Sequence, residues 1–302
     1  MIQWLKEKDR LMEKLNKQEI LQITRKINAN NFYDFMERYD LTYGELLGAI
    51  DFQIHSSSSL LMENSLRNLL KQKQILFCVN DKKVGLFADF HAGHPQANWD
   101  YIYRGYDFCF EEGIDTIIIL GDLLHGPYKW ASNNYNKAIF QCYQQLVELQ
   151  EHLPKGFSTF LLGGNHEEEF YKVGIDPWQQ ILSMRDDIFP ISRGRCYVQF
   201  GNFILNLNHN LPSRILIPPE MDCDLSLYGH FHTAFIHGRK ASITTCSDLK
   251  LTKTRYKFTG PGFSTLTDLD NQLQLHGYTF EEDDIILQSS KTYQKKRKTS
   301  TS

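Results

Sequence analysis

Asp89 and His91 stand two residues apart at the end of the apolar run "KKVGLFADF" (82–90), where a strand ordinarily gives way to plain turn residues. On an extended chain a spacing of two means one face, so a carboxylate and an imidazole converge there. A metal site, a hydrogen-bonded turn or a charge-relay pair would each use that pairing. Ligand-type side chains follow four more apolar runs. "IIILGDLLHG" delivers Asp122, "FLLGGNHEEEF" delivers Asn165 and His166, "ILNLNHN" delivers His209, and "LSLYGHFH" delivers His230 and His232. A sheet carries all of them to one edge, the place where open α/β sheets build their sites.

Asp89, His91, Asp122, Asn165, His209, His230 and His232 amount to four imidazoles, two carboxylates and an amide, with His166 beside them. One ion would leave too many donors, and the set suits two divalent metal ions sharing a bridging carboxylate. Nitrogen and oxygen donors without sulfur favour manganese, iron, zinc, cobalt or nickel over calcium or magnesium, and manganese is placed first. Without cations between them, carboxylates packed this closely would repel and shift their pKa values. Gly121, Gly163, Gly164 and Gly229 flank the donors, where a Cβ would hinder a sharp turn or a close approach to an ion.

The elements that must position these residues are legible as alternating periods. From about residue 75 short apolar strands, "QILFCVN", "KVGLFADF", "DTIIILGD", "STFLLGGN", "CYVQFGNFILNLNH" and "DLSLYGHF", alternate with helical stretches. The spacing of Ala138, Ile139, Cys142, Leu146 and Leu149 predicts an amphipathic helix over roughly 132–151. A β-meander follows around "DLDNQ". This pattern predicts a layered α/β (α+β) catalytic domain over 76–288. Residues 1–75 read as a helical N-terminal region, with capping pairs at Asn31 and Asp34 and at Thr42 and Glu45. Residues 289–302, with the basic "KKRK", read as a disordered tail.

Composition narrows the class. The chain has 302 residues, 41% hydrophobic and 23% charged, with a net charge of −3, which is ordinary globular usage without a global reason to bind polyanions. The six cysteines, Cys78, Cys109, Cys142, Cys196, Cys223 and Cys246, show no C-x-x-C spacing and imply a reducing compartment. The opening "MIQWLKEKDRLMEK" is too charged for a signal peptide, and no apolar run approaches the roughly 20 residues of a membrane span. A cytoplasmic location with no membrane partner is expected.

The combination D-x-H, G-D, G-N-H-E and G-H-x-H, with a lone histidine before the last, resembles the calcineurin-like metallophosphoesterase family over roughly 82–280. The resemblance implies a β-sandwich flanked by helices with a dinuclear site at the sheet edge. It implies that Asp89, His91 and His232 hold one metal, that Asn165, His209 and His230 hold the other, and that Asp122 bridges them. Two ions so placed lower the pKa of a shared water and neutralise phosphoryl charge, so the reaction implied is phosphoester hydrolysis by attack of a metal-bridging hydroxide. His166 is then the catalytic residue that stabilises the transition state or protonates the leaving oxygen, and Glu167 orients a ligand.

One departure matters. Phosphoprotein phosphatases of this superfamily carry G-D-x-x-D-R-G, whose arginine grips the phosphate, whereas this chain has "GDLLHGP" with His125 and Gly126. The stretch resembles the phosphodiesterase and nuclease branches, which makes His94 and His125 candidate substrate-binding residues alongside the reading of both as loop histidines. The expected function is a phosphodiesterase acting on a nucleotide or nucleic-acid phosphodiester. The alternatives are a DNA or RNA repair-type nuclease guided by the N-terminal helices, and a non-catalytic scaffold of the same fold. The N-terminal helices are also a candidate homo-oligomer contact.

Overall fold

A computed structural model of the chain describes residues 75–79, 81–127, 134–192, 194–209, 223–248 and 260–295. The expected N-terminal helices and the "KKRK" segment beyond residue 295 lie outside the described residues. Among the described residues no helix is long and apolar enough to cross a membrane.

Two sheets stack face to face. In chain order the larger one contains β2 (Lys83–Phe87), β3 (Thr116–Leu120), β4 (Ser158–Leu162), β5 (Ile188–Ser192), β11 (Gly262–Asp268), β12 (Gln272–Glu281) and β13 (Asp284–Gln294). Its strands run in the order β13-β12-β11-β2-β3-β4-β5. β2 to β5 pair in parallel, whereas β11 lies antiparallel to β2. The smaller sheet has the order β1-β6-β7-β8-β10-β9, built from β1 (Ile75–Val79), β6 (Arg195–Phe200), β7 (Phe203–Asn208), β8 (Leu225–Tyr228), β9 (Phe235–His237) and β10 (Lys240–Ser242). Four helices complete the described elements: α1 (Trp99–Glu111), α2 (Tyr135–His152), α3 (Asn165–Tyr171) and α4 (Pro177–Met184).

β3 shows why this sequence makes three layers. Its "TIIIL" is buried along its whole length, as a strand covered on both faces must be. Ile118 and Leu120 point to the smaller sheet, where they meet Leu205, Leu207, Leu225 and Leu227. Ile117 and Ile119 point the other way, to Tyr106 and Cys109 of α1 and to Cys142, Leu146 and Leu149 of α2. Each such side chain withdrawn from water contributes about 1.5–3 kcal/mol, so the two cores hold the strand ends rigidly. The observed architecture is the helix-flanked β-sandwich that the resemblance implies.

Several elements differ from the sequence reading. β2 stops at Phe87, so Asp89 lies in the loop beyond it. The run "CYVQFGNFILNLNH" is a hairpin, β6 and β7, folded back at Gly201 with φ of 53°. α1 is absent from the sequence reading although Ile102, Gly105, Tyr106 and Cys109 recur at helical spacing on its buried face, where Gly105 packs against Phe87. β13 continues to Gln294 and pairs with β12 throughout, so residues 289–294 belong to the sheet and not to a disordered tail. As an edge strand it is exposed along most of its length, with Tyr293 its one buried side chain, so little apolar alternation marks it.

Candidate metal centre

The ends of β2, β3, β4, β7 and β8 deliver their polar residues to one edge, as expected, but by a different local conformation. Seven non-glycine residues among those described have positive φ, and five of them are Asp89 (57°), His91 (53°), Asp122 (52°), His230 (73°) and His232 (53°). D-x-H and H-x-H therefore do not share the face of an extended strand; each donor sits in a left-handed turn. That conformation costs about 1–2 kcal/mol per residue and persists only where the surroundings enforce it. The Asp89 N–H donates to Gly121 O at 3.0 Å and the His91 N–H to Asp122 O at 2.9 Å. Thr245 Oγ1 donates to Asp89 O at 2.7 Å, and the His230 N–H donates to Asp89 Oδ2 at 3.0 Å.

These turns bring the expected donors into two adjoining groups, Asp89 with His91 and His232, and Asp122 with His209 and His230, while His91 also gathers with His125 and His166. In the first, His91 Nε2 and His232 Nε2 are 3.0 Å apart, and Asp89 Oδ1 is 3.2 Å from His232 Nε2 and 3.9 Å from His91 Nε2. In the second, His209 Nε2 is 2.9 Å from Asp122 Oδ2, an oxygen that also lies 4.0 Å from His91 Nε2. Asp122 thus faces both groups. Asn165 opens α3, and the N–H of the next residue, His166, donates to Asp122 Oδ1 at 2.9 Å. The His166 ring follows, with Nε2 4.0 Å from Asp122 Oδ2. The His125 ring lies 4.7 Å from that of His166 and the His94 ring 4.4 Å from that of His125, both pairs tilted, so His125 borders His166 and His94 borders His125.

Burial disfavours protonation of most imidazoles at this edge and so keeps their lone pairs available. Burial holds His91 well below the usual histidine range, and it lowers His230 and His94 as well. Burial likewise brings His125 down to about 3. His209 behaves oppositely: burial works against its charge, yet the Asp122 carboxylate raises it to about 10. Burial and the nearby Asp122 push Glu167 up to about 7 despite the N–H groups that bond to it.

The donor atoms fit bound metal ions. Asn165 Oδ1 and His209 Nε2 are buried without a hydrogen-bond partner, the latter because its approach to Asp122 is misaligned. A buried polar atom left this way costs about 1–3 kcal/mol. His209 Nδ1 donates to Leu120 O at 2.5 Å, so Nε2 is the ring nitrogen turned toward Asp122, where an ion would displace its proton. Close approach leaves no space for side chains here. A Cβ on Gly164 would run into the Asp122 carboxylate, and one on Gly229 into Leu120 O and the His209 ring.

Comparison with known families gives a match to the calcineurin-like phosphoesterase description over residues 82–234. The chain belongs to this family. The matched span runs from β2 through His232 and so takes in every candidate ligand. Comparison with curated proteins found no match. Among solved structures, this phosphoesterase-family chain is similar to Vacuolar Protein Sorting 29 from Cryptosporidium parvum, at 17% identity and a TM-score of 0.44, covering 71% of this chain and 98% of that one. It is also similar to the E. coli phosphoesterase YfcE, at 19% identity and a TM-score of 0.41, covering 69% and 98%. The nuclease MPE from Pseudomonas putida matches at 18% identity and a TM-score of 0.29, covering 61% and 84%.

Two contributors to the site escape motif reading. Thr245 holds the Asp89 carbonyl from a segment more than 150 positions away, and nothing local signals it. Gln145 left a visible signal, a lone polar residue at the buried spacing of α2.

Proposed function

We propose that this phosphoesterase-family protein is a metal-dependent hydrolase of phosphodiesters, of the kind found in nucleotides and nucleic acids. The observation that carries this reading is the complete donor set at one sheet edge, Asp89, His91, His232, Asp122, His209, His230 and Asn165, bordered by His166. Divalent cations, when bound, lower the pKa of water and offset phosphoryl charge. Asp89, His91 and His232 would hold one ion, Asn165, His209 and His230 a second, with Asp122 between, and manganese is the first metal to test.

The chain's own residues supply the rest. His166 presents its Nε2 beside the carboxylate that faces both groups, where the imidazolium form can pass its Nε2 proton to a leaving oxygen. His125 and His94 form a wall of imidazoles on its flank. The segments 88–98, 121–127, 163–166, 229–234 and 243–248 contain no lysine or arginine. A monoester dianion is ordinarily gripped by a fixed cation such as arginine, and the turn after Asp122 reads "GDLLHGP" without one, which supports the singly charged diester. A scaffold that had abandoned chemistry would have no need of an intact donor set with orphaned buried atoms.

The test is hydrolysis of bis-p-nitrophenyl phosphate beside p-nitrophenyl phosphate with Mn²⁺, with Asp122→Asn in parallel. Diester turnover lost by at least ~100-fold in the variant supports the reading. Metal binding without turnover of either ester would favour the scaffold, and turnover of the monoester alone would exclude a diesterase. DNA and cyclic nucleotides then separate nuclease from nucleotide phosphodiesterase.

A further inference from the structure

We propose that Gln145 is a positioning residue that sets the orientation of His166 through the backbone of His125 and Gly126, an inference that rests on the hydrolase reading above. Gln145 is 2% exposed and shares the inward stripe of α2 with Ala138, Cys142, Leu146 and Leu149. An amide placed there costs about 1–3 kcal/mol unless its polar atoms are bonded.

The Gln145 amide directs its bonds to two adjacent residues. Oε1 accepts the Gly126 N–H at 2.8 Å and the His125 N–H at 3.1 Å, while Nε2 donates to Gly126 O at 2.8 Å. Both polar groups of Gly126 are thus taken by one side chain, as a neighbouring strand would take them. The surroundings leave space for this amide. A Cβ on Gly93 would run into the Gln145 stem, and one on Gly126, where φ is 76°, would press on His166 O at 2.9 Å.

The backbone held in this way carries the His125 carbonyl, which lies 2.5 Å from His166 Nδ1. A carbonyl oxygen only accepts, so His166 carries a hydrogen on Nδ1 in both its neutral and its cationic form, and Nε2, turned toward Asp122, is the nitrogen that takes up and delivers a proton. The same backbone sets the His125 ring against His91, with the two Nδ1 atoms 3.3 Å apart. A connection therefore runs from a helix locked in the apolar core, through one amide, to the ring nitrogens on the substrate side. Misplacement of a reacting group by about 1 Å can cost ~100-fold in rate.

The experiment compares the wild-type full chain with Gln145→Leu, and with Gln145→Glu, which keeps an acceptor oxygen, should the first fail to fold. Imidazole ¹⁵N spectra, assigned with His166→Asn, are expected to show the Nδ1–H form of His166 in the wild type and a mixture of tautomers in the variant. Kinetics with Mn²⁺ use bis-p-nitrophenyl phosphate and diphenyl phosphate, whose poorer leaving group depends more on a proton from His166. For Gln145→Leu, kcat should fall about 10-fold for the first ester and about 100-fold for the second, with KM and metal content unchanged. An unchanged His166 tautomer with equal loss on both esters overturns the proposal, because a merely structural glutamine would lower stability without leaving-group dependence. If the wild type hydrolyses neither ester, the hydrolase reading fails, and the tautomer comparison alone decides whether Gln145 orients His166.

Discussion

The carboxylate of Glu167 accepts the backbone N–H of Asp122 at 3.1 Å, while the Asp122 carboxylate accepts the backbone N–H of His166 at 2.9 Å. These reciprocal bonds tie the turn after β3 to the first turn of α3. Glu167 also accepts the N–H groups of Leu124 at 2.8 Å and Gly164 at 2.6 Å, and is itself 1% exposed. Two loops that each carry a candidate ligand are thereby fixed by one buried side chain.

Glu167→Ala would leave those three N–H groups buried without an acceptor. At about 1–3 kcal/mol for each, urea melts should show a loss of at least ~3 kcal/mol, and Mn²⁺ affinity should drop about 10–100-fold. Glu167→Gln keeps one acceptor oxygen and should fall between. An alanine variant as stable as the wild type would show that water can replace the carboxylate.

Gly164→Ala introduces a Cβ where the Asp122 carboxylate and backbone lie, although its φ of −110° suits any residue. Asp122 must move, so metal content and diester turnover should both be lost. Gly156→Ala is the control. Its φ of 92° strains an alanine, but the space around it is open, so it should cost about 1–2 kcal/mol with activity retained. Metal analysis of the two purified variants separates crowding at the site from general destabilisation.

His166→Asn should reduce kcat by about 10²–10⁴-fold, the range for a lost general acid, with metal content unchanged. His125→Ala should act more on KM, since its ring borders His166 on the substrate side. Loss of metal from His166→Asn would instead make that residue a ligand.

Asp187 supports stability far from the chemistry. It takes two bonds of 2.7 Å from Arg185, whose other donors reach Leu153 O and Pro154 O. Burial works to raise the Asp187 pKa, and the hydrogen bond and charge of Arg185 outweigh it, so the carboxyl sits below its ordinary value. The folded form is favoured by this pair above the ordinary carboxylate range, about pH 3.9, and loses that support as pH falls through the lowered pKa. Asp187→Asn should cost about 1 kcal/mol at neutral pH, since the carboxylate is partly open to solvent, and flatten the acid limb of stability, while diester turnover is unchanged. Melts from pH 2 to 7 check both, and an unaltered acid limb would assign that limb to other carboxylates.

By itself the sequence determined the family and the layers. Donor residues placed just beyond apolar runs announce a sheet edge, because a buried strand must be apolar along its length and only its end can carry a polar side chain. The stripe from Ala138 to Leu149 announced α2 for the same reason of period. Only the tertiary structure decided how the donors converge. Asp89 and His91 meet through left-handed turns stabilised by Gly121, Asp122 and Thr245, and no local pattern encodes a bond across more than 150 residues. Gln145 and the edge strand β13 belong to the same class. Their roles are set by partners distant in sequence, and those partners become neighbours only when the two cores close around β3.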